Sequence, residues 1–84
     1  MRIRIKLFAS LSELLPAGVK PHEGYELDIA GDLTPAELID ELRVPKELAH
    51  LVLINGEYLP PAKRRQPVFR EGDVFAIWPP VAGG

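Results

Sequence analysis

The chain has 84 residues, which is enough for one domain with one core but not for a core and a deep cofactor cavity together. Hydrophobic residues make up 46%, so disorder is excluded, and a formal charge of −2 offers no attraction for nucleic acid or an anionic membrane. Cysteine is absent, which removes disulfides, thiolate nucleophiles and Cys-type metal sites together and fits a cytoplasmic setting. No apolar run approaches the roughly 20 residues that cross a bilayer, and the first residues alternate like a strand rather than forming a signal peptide.

Residues 2–9 open the chain with Ile3, Ile5 and Leu7 alternating against Arg2, Arg4 and Lys6, which predicts a strand with one buried and one basic face. Ser10 to Glu13 has capping-box spacing and predicts a helical turn through Leu14-Leu15, ended by Pro16-Ala17-Gly18. A second alternation, Tyr25, Leu27 and Ile29, predicts a second strand. The main helix begins after Thr34, with Pro35 at its first position and Glu37 as reciprocal cap. Leu38, Ile39 and Leu42 give it one apolar face, and Pro45 stops it near Arg43-Val44.

Leu51 to Ile54 is a continuous apolar run and predicts a strand covered on most of both faces. Asn55-Gly56 is the strongest hairpin signal in the chain and would return into Glu57-Tyr58-Leu59. The stretch from Pro60 to Pro67 reads as an exposed loop carrying Lys63-Arg64-Arg65. After a turn at Glu71-Gly72-Asp73, Val74 to Trp78 reads as a final strand that Pro79-Pro80 ends, because proline cannot donate to a ladder. The expected fold class is therefore α+β: a β-grasp domain over residues 1–78, with a mixed sheet of four to five strands, one main helix across one face, and an extended tail over residues 79–84.

The tail reads Pro79-Pro80-Val81-Ala82-Gly83-Gly84. Two prolines favour an extended path at ~3.1 Å per residue, and two glycines without Cβ atoms can enter a channel too narrow for other residues. The carboxylate at the tip is ionised at neutral pH and is a poor electrophile until activated, for which an acyl-adenylate is the usual route. A sulfur nucleophile displacing AMP would leave either a thiocarboxylate, itself a sulfur nucleophile, or a thioester, an acyl donor. The chain has no phosphate-cradling Gly-rich loop and no cysteine, so a partner has to supply that activation.

Leu7-Phe8-Ala9, Ile54-Asn55-Gly56-Glu57, Glu71-Gly72-Asp73 and above all Pro79-Pro80-Val81-Ala82-Gly83-Gly84 resemble the MoaD/ThiS ubiquitin-like sulfur carriers. The tail looks most like the small subunit of molybdopterin synthase, whereas the segment before Leu51 is short for that branch and the long stretch Leu59 to Gln66 is closer to the thiazole carriers. The resemblance implies a protein that is not an enzyme on its own and binds no cofactor. Its Gly84 would be adenylated by a ubiquitin-activating-enzyme-like adenylyltransferase that uses ATP. Pro79, Pro80, Val81, Ala82 and Gly83 would insert into the large subunit of molybdopterin synthase or another sulfur acceptor enzyme. It leaves thiazole or thiolated-tRNA pathways, and protein modification through Gly84, as alternatives.

Phe8 is out of phase with Ile3, Ile5 and Leu7, and Trp78 is out of phase with Phe75 and Ile77. If the first and last strands are neighbours, the two aromatics meet as one apolar, partner-binding patch near the tail. Arg2, Arg4 and Lys6 would share that outer face as a solvated row that discourages edge pairing. His22 and His50 have no ligand pattern around them, so no metal site is expected.

Overall fold

Alternating Ile3, Ile5 and Leu7 give β1 (Arg2–Leu7) one buried face, and the strand lies inside the sheet, paired on both sides. The computed structural model describes residues 1–80. Its remaining elements are β2 (Tyr25–Asp28), α1 (Pro35–Glu41), β3 (Leu51–Ile54), β4 (Glu57–Tyr58) and β5 (Val74–Trp78), with short 3-10 helices at Ala9–Leu14, Lys46–Leu48 and Pro61–Lys63. The sheet order is β2-β1-β5-β3-β4. β1 and β5 run parallel, with Leu7 opposite Ile77, and the other pairs are antiparallel. This five-stranded mixed sheet with one main helix across it is the expected β-grasp.

One face of the sheet is sealed. Ile3, Ile5, Leu7, Val52, Phe75 and Ile77 are all at most 1% exposed. Burying each such side chain is worth about 1.5–3 kcal/mol before chain entropy is set against it. Leu38 and Ile39 of α1 close over them, with Leu11 and Phe69 at the sides. The Phe69 ring meets Phe75 edge-on, with centroids 5.1 Å apart, the favoured arrangement for aromatic quadrupoles.

The helix is set by its ends. Thr34 Oγ1 accepts from the Glu37 N–H at 3.1 Å, and the Thr34 N–H donates back to Glu37 Oε1 at 2.9 Å, forming the predicted capping box. These bonds, from the Thr34 backbone first and its hydroxyl second, hold the Glu37 carboxyl below its ordinary range. At the other end Arg43 sits at φ +64°, and Val44 N–H reaches back to Ile39 O at 3.2 Å. A residue in the left-handed region therefore closes the helix before Pro45, a task usually left to glycine.

The hairpin signal is realised with both Asn55 (φ +51°) and Gly56 (φ +82°) left-handed, as a type I′ turn requires. Asn55 also ties this turn to β5. Its Nδ2 donates to Asp73 Oδ1 at 2.9 Å, its Oδ1 accepts from the Val74 N–H at 2.9 Å, and Asp73 Oδ2 accepts from the Arg70 N–H at 2.7 Å.

Three sequence-based expectations are corrected. Ser10 to Glu13 does not form a capping box: the 3-10 helix starts after Phe8, with no side-chain cap and Ala9 at φ +53°. One buried residue, Leu11, holds this turn to the core instead. The Leu51–Ile54 strand is not covered on both faces: only Val52 is fully buried, and Leu51 is 39% exposed, because none of the described residues packs over the second face of the sheet there.

The 63–65 segment is not simply an exposed loop either. Arg64 is half-buried, and its guanidinium donates from Nε to Leu59 O at 2.9 Å and from Nη1 to Ala49 O at 3.1 Å. Lys63 and Arg65 are exposed as expected.

Candidate functional site

Strand alternation sends Phe8 and Trp78 to the face opposite the core, and the parallel β1–β5 register makes them neighbours. The Phe8 N–H donates to Ile77 O at 3.1 Å, extending the ladder one residue beyond β1. The two rings stack with centroids 4.1 Å apart and planes 5° from parallel. The predicted juxtaposition is therefore present, at the end of β5 from which the tail departs.

Cross-strand pairing extends this face. Leu51 lies opposite Trp78, and Leu53 lies opposite both Ala76 and Tyr58. Trp78, Leu51 and Tyr58 are 36%, 39% and 54% exposed, so the open face carries an apolar strip running from Phe8 across β5 and β3 to β4. Leu51, Leu53 and Tyr58 were not singled out from sequence. The available signal was the alternation of Leu51 and Leu53 around Val52, which an unbroken apolar run hides.

The other half of the open face is charged and largely paired across β1 and β2. Arg2 Nε donates to Asp28 Oδ1 at 2.9 Å, and Arg2 and Arg4 lie 3.8 and 3.9 Å from Glu26. Arg4 Nη1 also donates to Glu23 O at 2.8 Å. Arg2, through its hydrogen bond first and its charge second, holds the Asp28 carboxyl below its ordinary range. Much of the basic row is thus neutralised within the domain, and because β1 is paired on both sides the row guards no free edge, contrary to the expectation that it discourages edge pairing.

Pro79 is buried and Pro80 exposed, directly after Trp78. Val81, Ala82, Gly83 and Gly84, on which the predicted tail insertion and adenylation fall, lie outside the described residues. Two surface concavities, of about 520 and 590 Å³, are found elsewhere. One lies between α1 and the 61–65 turn, against Glu37, Asp40, Arg64 and Arg65; the other lies beside the Asn55-Gly56 turn, against Tyr58 and Asp73. Neither adjoins the aromatic stack, and neither gathers a nucleophile with a base. Among the described residues no group of three or more His, Asp or Glu is placed to hold a metal, and no helix is long and apolar enough to cross a membrane.

A mixed five-stranded sheet gripping one helix, with an aromatic pair at the root of a Pro-Pro arm, defines a ubiquitin-like β-grasp protein. The ThiS family model matches residues 5–84, and the chain belongs to that family of ThiS/MoaD-type ubiquitin-like sulfur carriers. SAMP1 from Haloferax volcanii is 29% identical over 100% of both chains, with a TM-score of 0.66. A putative molybdopterin converting factor subunit 1 from Pyrococcus furiosus is 26% identical over 95% of this chain and 98% of its own, with a TM-score of 0.64. Subunits 1 and 2 of the molybdopterin-converting factor from Helicobacter pylori form a solved complex; its matched chain is 22% identical over 100% of both chains, with a TM-score of 0.60, a likeness of fold. No curated protein matches the sequence.

Proposed function

We propose that this chain carries sulfur on Gly84 as the small subunit of a molybdopterin synthase. The observation that carries the reading is the Phe8–Trp78 stack and its apolar strip at the root of the Pro79-Pro80 arm, in a chain of the ThiS family. Trp78, Leu51 and Tyr58 are the residue types that anchor interfaces, and they surround the point where the reactive arm begins. A partner seated there would take the arm into its own active site. The similarity to the Pyrococcus furiosus protein favours the molybdopterin pathway, and the Helicobacter pylori complex supports a large-subunit partner.

In this reading the Gly84 carboxylate attacks the α-phosphate of ATP on a ubiquitin-activating-enzyme-like adenylyltransferase. Pyrophosphate leaves and the acyl-adenylate forms. Sulfide then displaces AMP to leave the thiocarboxylate directly, or a partner's persulfide displaces it to give an acyl disulfide that a second partner thiol cleaves, forming a disulfide and releasing the thiocarboxylate that the large subunit spends on its acceptor. ATP belongs to the activating partner; the carrier brings no cofactor and works in the cytoplasm. Intact mass tests this after incubation with ATP, the activating enzyme and a sulfur source. A gain equal to exchanging one oxygen for sulfur, lost when Gly84 is deleted, is the expected result. No gain, with the enzyme competent on another carrier, refutes it.

The similarity to SAMP1, also described as a small archaeal modifier protein, favours a second reading, in which Gly84 is joined to target lysines. Gly-Gly remnants on lysines of cellular proteins would distinguish it.

A further inference from the structure

We propose that Lys6 selects the partner of the open face: the large subunit that seats itself on the Phe8–Trp78 strip presents a carboxylate to the Lys6 ammonium. The inference deepens the carrier reading and rests on it for the identity of the partner. Arg2, Arg4 and Lys6 follow one another along the open face of β1. Arg2 is answered by Asp28 at 2.9 Å and Arg4 by the Glu23 carbonyl at 2.8 Å, with Glu26 3.8 and 3.9 Å from the two guanidinium groups. Among the described residues no carboxylate lies within 4.0 Å of the Lys6 ammonium.

The register puts Lys6 on the border between the charged and the apolar half of the face. Lys6 lies opposite Ala76, Ala76 opposite Leu53, and Leu53 opposite Tyr58. The neighbouring row holds Phe8, Trp78 and Leu51. A partner that covers this strip therefore covers Lys6 as well. Ala76, the smallest side chain of the two rows, leaves room beside the ammonium for a side chain of the partner.

Lys6 also differs from the other lysines. Lys20, Lys46 and Lys63 are exposed, whereas Lys6 is half-buried. Its stem lies against Gly24, where a Cβ would come within 2.8 Å of Lys6 Cγ and would also meet the Ile5 carbonyl. A stem already laid down loses less rotamer freedom when the head is engaged, so more of an ion pair survives as affinity. A charge covered by an apolar partner without a counterpart loses its water and gains nothing in return. A partner that carries the carboxylate is therefore preferred over an equally apolar one that lacks it.

The test is calorimetric titration of the carrier with the large subunit at low and at high salt, comparing wild type with Lys6→Met, Lys6→Arg and Lys6→Glu. Methionine keeps the stem on Gly24 without the charge, and arginine keeps the charge. At low salt the expected affinity is about 10-fold lower for Lys6→Met, within about 3-fold of wild type for Lys6→Arg, and about 100-fold lower for Lys6→Glu, which sets like charges together. The gap between wild type and Lys6→Met should narrow at high salt. Lys6→Met binding as tightly as wild type, or more tightly, overturns the proposal.

Lys46→Met makes the same change of net charge in the concavity beside α1, and its affinity should match wild type. An equal loss there would mean that overall charge steers the encounter, and would overturn the proposal. Because methionine and arginine both retain the stem, the urea midpoints of those two Lys6 variants should equal that of wild type. A wild-type carrier that does not bind the large subunit sinks the molybdopterin reading and the role of Lys6 with it. A complex that forms but is indifferent to Lys6 sinks the role of Lys6 alone.

Discussion

Arg64 and the Phe8–Trp78 pair sit at the same end of the sheet and are put to opposite uses. Arg64 donates to the carbonyls of Leu59 and Ala49, and its own carbonyl accepts from the Ala36 N–H at 2.8 Å. It therefore joins the end of β4, the approach to β3 and the start of α1. Two residues past Ala49, Leu51 lies opposite Trp78, whose ring stacks on Phe8. Both clusters are partly exposed, so exposure does not separate them. What separates them is whether the protein itself answers the group. The guanidinium is answered by main-chain oxygens, whereas part of the apolar area of Trp78, Leu51 and Tyr58 is left uncovered by the described residues.

That contrast predicts separable effects. Deleting Gly84 should abolish thiocarboxylate formation, read by intact mass, and leave the urea midpoint of the domain unchanged. A large stability loss would tie the tail into the fold and break the contrast. Arg64→Ala should cost about 2–3 kcal/mol in urea unfolding, since it strips charge-assisted donors from carbonyls that are partly buried. Partner affinity of the folded protein should stay within 2-fold of wild type, and a selective loss of binding would move Arg64 into the functional cluster. Trp78→Ala should do the opposite, weakening association with an activating enzyme or large subunit by about 2 kcal/mol as measured by calorimetry. Equal affinity would show that the open face is not the docking face.

Smaller effects come from the charged edges, where neither burial nor a partner is involved. Thr34→Ala removes the helix cap and should cost about 1 kcal/mol. The same variant sharpens an acid effect. Thr34 holds the folded Glu37 carboxyl below its unfolded value. The stability this confers is full above the unfolded carboxyl range and is lost as pH falls through the folded value. Thr34→Ala removes the hydroxyl bond and keeps the larger backbone one, so it should weaken that acid-range contribution only in part. Asp28, lowered by Arg2, follows the same sign. Because both groups are fully exposed, its contribution should be the smallest and should fade with added salt.

Elements with local causes were legible from the sequence. The period-two alternations at Ile3-Ile5-Leu7 and Tyr25-Leu27, the Thr34–Glu37 box and the Asn55-Gly56 turn appear where their chemistry puts them, because caps, turns and alternation act within a few residues. The Phe8–Trp78 meeting was legible only conditionally, since it needed β1 and β5 to be neighbours 70 positions apart in sequence. Arg64 was misread because a basic triplet looks solvated until the carbonyls of Ala49 and Leu59 come within reach of one member. Leu51 was misread because an apolar run cannot say which of its faces will be covered.

The sequence by itself determined the order of the strands and main helix, the ends of α1 and the hairpin, since each follows from dihedral preference or local hydrogen bonding. The tertiary structure alone decided which half-exposed groups serve the fold and which are left over. That choice depends on pairing across the sheet, where residues distant in sequence either satisfy a side chain or leave it open to a partner.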